Sequence, residues 1–241
     1  TAQAAALSSG QIAALGSDQA LALETADVAA LNATNLRAML TDTLAVLTSD
    51  QIRALTSAEV AALASAQIAA MTSDQIASLK TDQAVALISS QLAALSSDQM
   101  RAISTADLAA MGSNAIRAFS SSQVGALTSD QIVALSTAQA AALSTAQTAA
   151  LSTEQASAFE TADLASLATA AFAAMGAANI TALTTGQIAA LRTQHIAALT
   201  SAEAGQLTSD QIVALTTAQA ATLTTHQVAA LTTEQVAAFE T

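Results

Sequence analysis

Leu127-Thr128-Ser129-Asp130-Gln131-Ile132-Val133-Ala134 is one cycle of a pattern that fills the whole chain. Counting in eights from Leu7 meets Leu15, Leu23, Leu31 and Met39, and continues without insertion to Leu231 and Phe239. Every residue on that register is Leu, Met, Ile or Phe. Lettered a to h from this position, the octad has the consensus L-T-S-x-Q-I-A-A. Position f holds a second apolar residue, as in Ile12, Val28, Ile52, Leu92 and Ile188, and Thr148 is its one polar occupant. Position e is mostly Gln, b and c are mostly Ser or Thr, and h is nearly always Ala. A fixed short period in every part of the chain is the signature of a repeat architecture.

Each octad reads as the start of a helix. Thr48 is an N-cap candidate and Gln51 follows at capping-box spacing. In such a box, each side chain satisfies a backbone N–H at the other's position. Leu47 before the cap and Ile52 at the fourth helical position form a hydrophobic-staple pair. Charge placement agrees independently. All 18 acids fall at b (Glu24, Glu160, Glu240), at d (Asp18, Asp74 and Asp130 among them) or at e (Asp27, Glu59, Asp107, Asp163, Glu203). These positions form the first helical turn, where the helix dipole favours negative charge. Arg37, Arg53, Arg101 and Arg117 sit at g, near the helix C-terminus, where it favours positive charge.

Two rival folds fail. In one continuous helix at about 3.6 residues per turn, an eight-residue period makes the Leu stripe drift by about 80° per octad, so no single partner could cover it. A β-solenoid would need strand-forming residues and Gly, Asn or Pro corners, whereas these octads are rich in Ala, Gln and Asp. Helices of fewer than two turns are unstable alone. Stacking must therefore hold them, with Leu at a, Ile at f and Ala at h forming the buried face. The expected fold is all-α: a solenoid or superhelix of about thirty very short capped helices, one per octad, each contacting mainly its neighbours. The octads show no alternation of two helix types, so all units should face one axis. Residues 1–241 read as a single continuous array, a slice of or a unit in a longer fibre.

Composition narrows function. The chain of 241 residues carries Lys+Arg 6 against Asp+Glu 18, a net charge of -12. That balance repels phosphate backbones and anionic membrane surfaces, so neither nucleic acid nor membrane is expected as a partner. No apolar run approaches the roughly 18 residues of a membrane span. Thr1-Ala2-Gln3-Ala4 does not open a secretion signal. The absence of Cys excludes disulfides and thiolate metal sites.

No catalytic, cofactor-binding or metal-binding residue stands out. His195 at e and His226 at d read as solvated substitutions in a degenerate repeat. The acids follow the capping pattern rather than a paired-carboxylate one. Stacked Asp at d, such as Asp74 and Asp82, offer at most a weak cation site without a dense oxygen cage. Ser and Thr at b and c read as N-caps and first helical residues, and also as a regular hydroxyl face. Asn32-Ala33-Thr34 and Asn179-Ile180-Thr181 match the N-glycosylation pattern. The Arg residues at g are candidates for contacts between neighbouring solenoids.

Two resemblances follow from these residues. Leu127 to Leu135 resembles the first helix of a TAL-effector DNA-binding repeat. The base-reading loop and basic residues of that family are absent, and with them its function. Across the whole chain, the L-T-x-x-Q-I-A-A-L register resembles the low-complexity repeat regions of large bacterial secreted or surface proteins, adhesin- or fibre-like. That resemblance implies an extracellular or cell-surface location and a structural role as filament, stalk or surface-layer element. Self-association end to end, or continuity in a longer parent chain, would build the filament. The alternative is a binding module that uses the Ser/Thr face for ice or glycan. Catalysis is not expected.

Overall fold

The computed structural model describes residues 1–240; Thr241 and the side chain of Glu240, assigned above to c and b, lie outside the described residues. Among the described residues the chain forms thirty α-helices of four to six residues, one per octad, and a final 3-10 turn at Ala238–Glu240. There is no strand among them. Among the described residues no helix is long and apolar enough to cross a membrane. The chain divides into two compact units, Thr1–Phe119 and Ser120–Thr241, and each is built in the same way. The octad register passes from Phe119 at a to Ser120 at b without insertion.

The octad containing Thr48 shows why the helices start and stop where they do. Thr48 is extended at φ -70, ψ 158, and its Oγ1 accepts the Gln51 N–H at 3.2 Å. Gln51 Oε1 accepts the Thr48 N–H in return at 2.8 Å. The helix Ser49–Ala54 ends because Leu55 is again extended, at φ -64, ψ 147. The corner is thus the residue pair a–b, both with negative φ that any L-residue adopts. This is why a chain without Pro and with few Gly turns a corner every eight residues. Gly176 is the one described residue at positive φ, at 78.

Helices pack on partners three octads away, not on their sequence neighbours as expected. In the first unit, Ser9–Ala13 packs on Ala33–Ala38, Thr41–Ala45 on Ser65–Ala70, and Ser73–Ala77 on Ser97–Ala102. In the second, Thr137–Ala140 packs on Thr161–Ser166 and Ser201–Gln206 on Thr225–Ala229. Hydrogen bonds between coils span 28 and 31 residues, so a coil holds between three and four octads.

The buried stripe is e, f and a. Ile52 and Ile132 at f are fully buried, and Leu55 and Leu135 at a are nearly so. Burying one such side chain stabilises by about 1.5–3 kcal/mol, and the array repeats that gain in each octad. Position h does not complete the stripe as expected. Ala54, Ala62 and Ala70 at h are half-buried, whereas Gln51, Gln67 and Gln75 at e are buried. The polar residue goes inside because its amide has partners there. Thr148, the polar occupant of f, is also fully buried, and its hydroxyl donates to the Ala171 carbonyl at 2.7 Å.

Candidate functional site: a glutamine seam between coils

A helix leaves its last carbonyls without intrahelical partners. In this fold the Gln at e of a later coil satisfies them. Gln75 Nε2 donates to the Leu44 carbonyl at 3.0 Å and the Leu47 carbonyl at 2.7 Å, at positions f and a of the coil below. Its Oε1 meanwhile accepts the Thr72 N–H at 2.8 Å. One planar amide therefore caps the start of its own helix and the end of an earlier one. Gln is suited to this because it presents an acceptor and two donors on one rigid group.

The pattern recurs throughout. In the first unit Gln67 reaches the Leu36 and Met39 carbonyls, Gln83 those of Ile52 and Leu55, and Gln91 those of Val60 and Leu63. In the second unit Gln155 reaches those of Val124 and Leu127, and Gln219 those of Ile188 and Leu191. Reading Gln at e as a capping-box residue was right about its oxygen and missed its nitrogen. The signal available was the preference for Gln over Glu at e, since Glu fills a capping box equally well but cannot donate.

Substitutions at e follow the same chemistry. Asn35 and Asn179 donate from Nδ2 to the Leu7 and Leu151 carbonyls at 2.9 and 2.8 Å. Thr43 donates from Oγ1 to the Leu15 carbonyl at 3.1 Å. Each reaches the carbonyl 28 residues earlier, because its side chain is too short for the farther one. Carboxylates cannot donate and are held by hydroxyls instead. Asp107 accepts from Ser104 Oγ at 2.6 Å, Asp163 from Thr137 Oγ1 at 2.7 Å, and Glu203 from Thr200 Oγ1 at 2.9 Å.

His195 occupies an e slot and is fully buried, which corrects the expectation that it is solvated. Its Nε2 lies 3.0 Å from the Leu167 carbonyl, 28 residues earlier, so the ring fills the seam in place of Gln. The Phe172 ring stacks on it at 4.9 Å between centroids. The register places position e inside, and this is what buries it. His226 at d is exposed, as expected.

The remaining candidates lie on the surface. Asp74, Asp82, Asp98 and the other acids at d are exposed. Asp82 accepts a hydrogen bond from Ser57 Oγ at 2.9 Å. Among the described residues no group of three or more His, Cys, Asp or Glu is placed to hold a metal ion. Arg101 and Arg117 bond to Asp98 and Asn114 at d of their own helices, at 2.7 and 3.1 Å. Of the two glycosylation patterns, Asn32 is exposed and caps the helix Ala33–Ala38, whereas Asn179 is buried with its amide in the seam. Hydroxyls at b cap helices, as those of Ser96 and Thr128 do, while remaining exposed, and hydroxyls at c such as those of Ser57 and Thr137 donate to Asp82 and Asp163 in another coil.

Short capped helices, stacked three octads apart and joined in most octads by the side chain at e, define an all-α repeat coil. The ALTTAQ repeat matches residues 20–57, 57–89, 100–137, 156–193, 188–217 and 212–241. The chain belongs to the ALTTAQ repeat family, whose motif it spells out at Ala214-Leu215-Thr216-Thr217-Ala218-Gln219. No curated protein matches the chain.

Proposed function

We propose that the chain is a structural element, a stretch of an extracellular or cell-surface filament, stalk or surface layer, extended by adding coils. One observation carries this reading: within each unit, successive coils are joined by the same kind of side-chain-to-backbone bond, and such a seam can be repeated indefinitely. A head-to-tail contact that repeats this seam, in a longer chain or with a second copy, is heterologous, does not close and grows as a fibre. The proposal assigns no catalytic role to any residue.

Light scattering and electron microscopy over a concentration series test it. Filaments, or association removed by Leu7→Lys and Val236→Lys, are the expected result. A chain that stays monomeric at high concentration refutes end-to-end assembly. Immunogold labelling of intact cells tests the location, and label confined to the cell interior refutes it.

A further inference from the structure

The seam elsewhere uses groups whose donors do not depend on pH in the neutral range; at one joint it uses an imidazole. We propose that His195 is a proton-operated latch, whose protonation opens the seam between the coil carrying Thr193–Ala197 and the coil carrying Leu167 and Thr169–Ala173. The inference is independent of whether the array builds a filament.

The geometry carries it. We assign the ring's hydrogen to Nε2, the tautomer that donates to the Leu167 carbonyl 3.0 Å away, since a carbonyl only accepts. Nδ1 is then the bare nitrogen, and it is buried without a partner. A proton added there would create an N–H with no acceptor, and a buried donor left unpaired is costly. It would also place a second cation beside Arg192, whose Nη2 lies 3.2 Å from Nε2 and donates to the same Leu167 carbonyl.

Nothing nearby neutralises that charge. The helices packed on Thr193–Ala197 are Thr169–Ala173 and Thr217–Ala220, and neither contains a titratable side chain. Arg192 is the other charge on the element itself. The nearest acids in the repeat order, Asp163 and Glu203, are held by the hydroxyls of Thr137 and Thr200. Among the described residues no ion pair involves His195.

Burial, and secondarily Arg192, holds the imidazole below its ordinary value of 6.5, against the opposing bond to Leu167. The opened coil, with a free ring, binds a proton more readily than the closed one. Above pH 6.5 the joint is therefore insensitive to pH. Below it, the opening constant rises by up to about tenfold per pH unit, until the closed form also titrates.

Hydrogen exchange of the 241-residue chain between pH 7.5 and 4.5, corrected for intrinsic rates, tests the latch. Peptides covering 161–173 and 193–197 should lose protection below about pH 6.5, while the seam sealed by Gln91 in the first unit does not. His195→Gln, which installs the consensus residue, should abolish the loss, and His226→Gln should leave it intact. Protection at 193–197 that is flat with pH, or falls equally in His195→Gln, overturns the proposal. Should His195→Gln not fold, the wild-type His195 ring resonance remains decisive. A titration midpoint below 6.5 supports the latch, and one at or above 6.5 overturns it.

Discussion

Replacing Gln75 by Leu keeps the volume of the side chain and removes its chemistry. Gln75 is only 2% exposed, and its Nε2 serves the carbonyls of two residues, Leu44 and Leu47, that are themselves buried. The Leu47 carbonyl is left unpaired, at a cost of about 1–3 kcal/mol, whereas the Leu44 carbonyl keeps the Leu47 N–H at 3.2 Å and loses one of two bonds, about 0.5–1.5 kcal/mol. The Thr72 N–H loses Gln75 Oε1 as well, but Thr72 is exposed and water replaces that bond at little cost. Burying the Leu methyl groups offsets about 1–2 kcal/mol. Midway through these ranges the net cost is about 1.5 kcal/mol, a rise of roughly tenfold in the local opening constant. A repeat array opens locally rather than all at once, so a single unfolding midpoint would dilute the effect. Hydrogen exchange resolved to Thr41–Ala45 and Ser73–Ala77 measures it directly. Gln11→Leu is the control, because Gln11 is exposed and makes only the capping contact. If Gln75→Leu costs no more than Gln11→Leu, the seam is not what holds the coils.

Leu135→Ala, at a position 3% exposed, should cost about 2–5 kcal/mol, and Ala141→Ser on the exposed g position well under 1 kcal/mol; equal shifts in urea unfolding would reject the burial stripe. Gly125→Ala would bring a methyl within 2.8 Å of the Ala150 carbonyl, and Gly205→Ala within 2.7 Å of that of Ala230. Both should destabilise by about 1–3 kcal/mol, although Ala is the better helix former, and thermal melts that rise instead would refute the close approach. Gly176→Ser should cost about 1–3 kcal/mol, because φ of 78 with ψ of 165 is nearly closed to other residues. Gly112→Ser, at an ordinary φ with open space around it, should gain about 0.5–1 kcal/mol by restoring a cap; matching melting shifts for these two variants would remove the backbone explanation. Far-UV circular dichroism should be dominated by helix, and a strand spectrum would refute the fold.

The eight-residue register by itself determined the number, length and boundaries of the helices. This follows because capping is local: Thr48 and Gln51 meet within one octad, and Leu55 ends the helix one residue past Ala54. Periodicity likewise identified a and f as core, since both recur on the inner side of every octad. Only the tertiary structure decided that a coil holds between three and four octads, because that number depends on how the extended a–b corners aim successive helices. It alone made e the third buried position. A sequence reading ranks Gln as a surface residue, and nothing within one octad reveals that carbonyls from 28 and 31 residues earlier await its amide. His195 was misjudged for the same reason: its environment is made by Leu167 and Phe172, which no local pattern connects to it. What a helix needs at its start is written beside it in the chain, whereas what it needs at its end is supplied by the next coil.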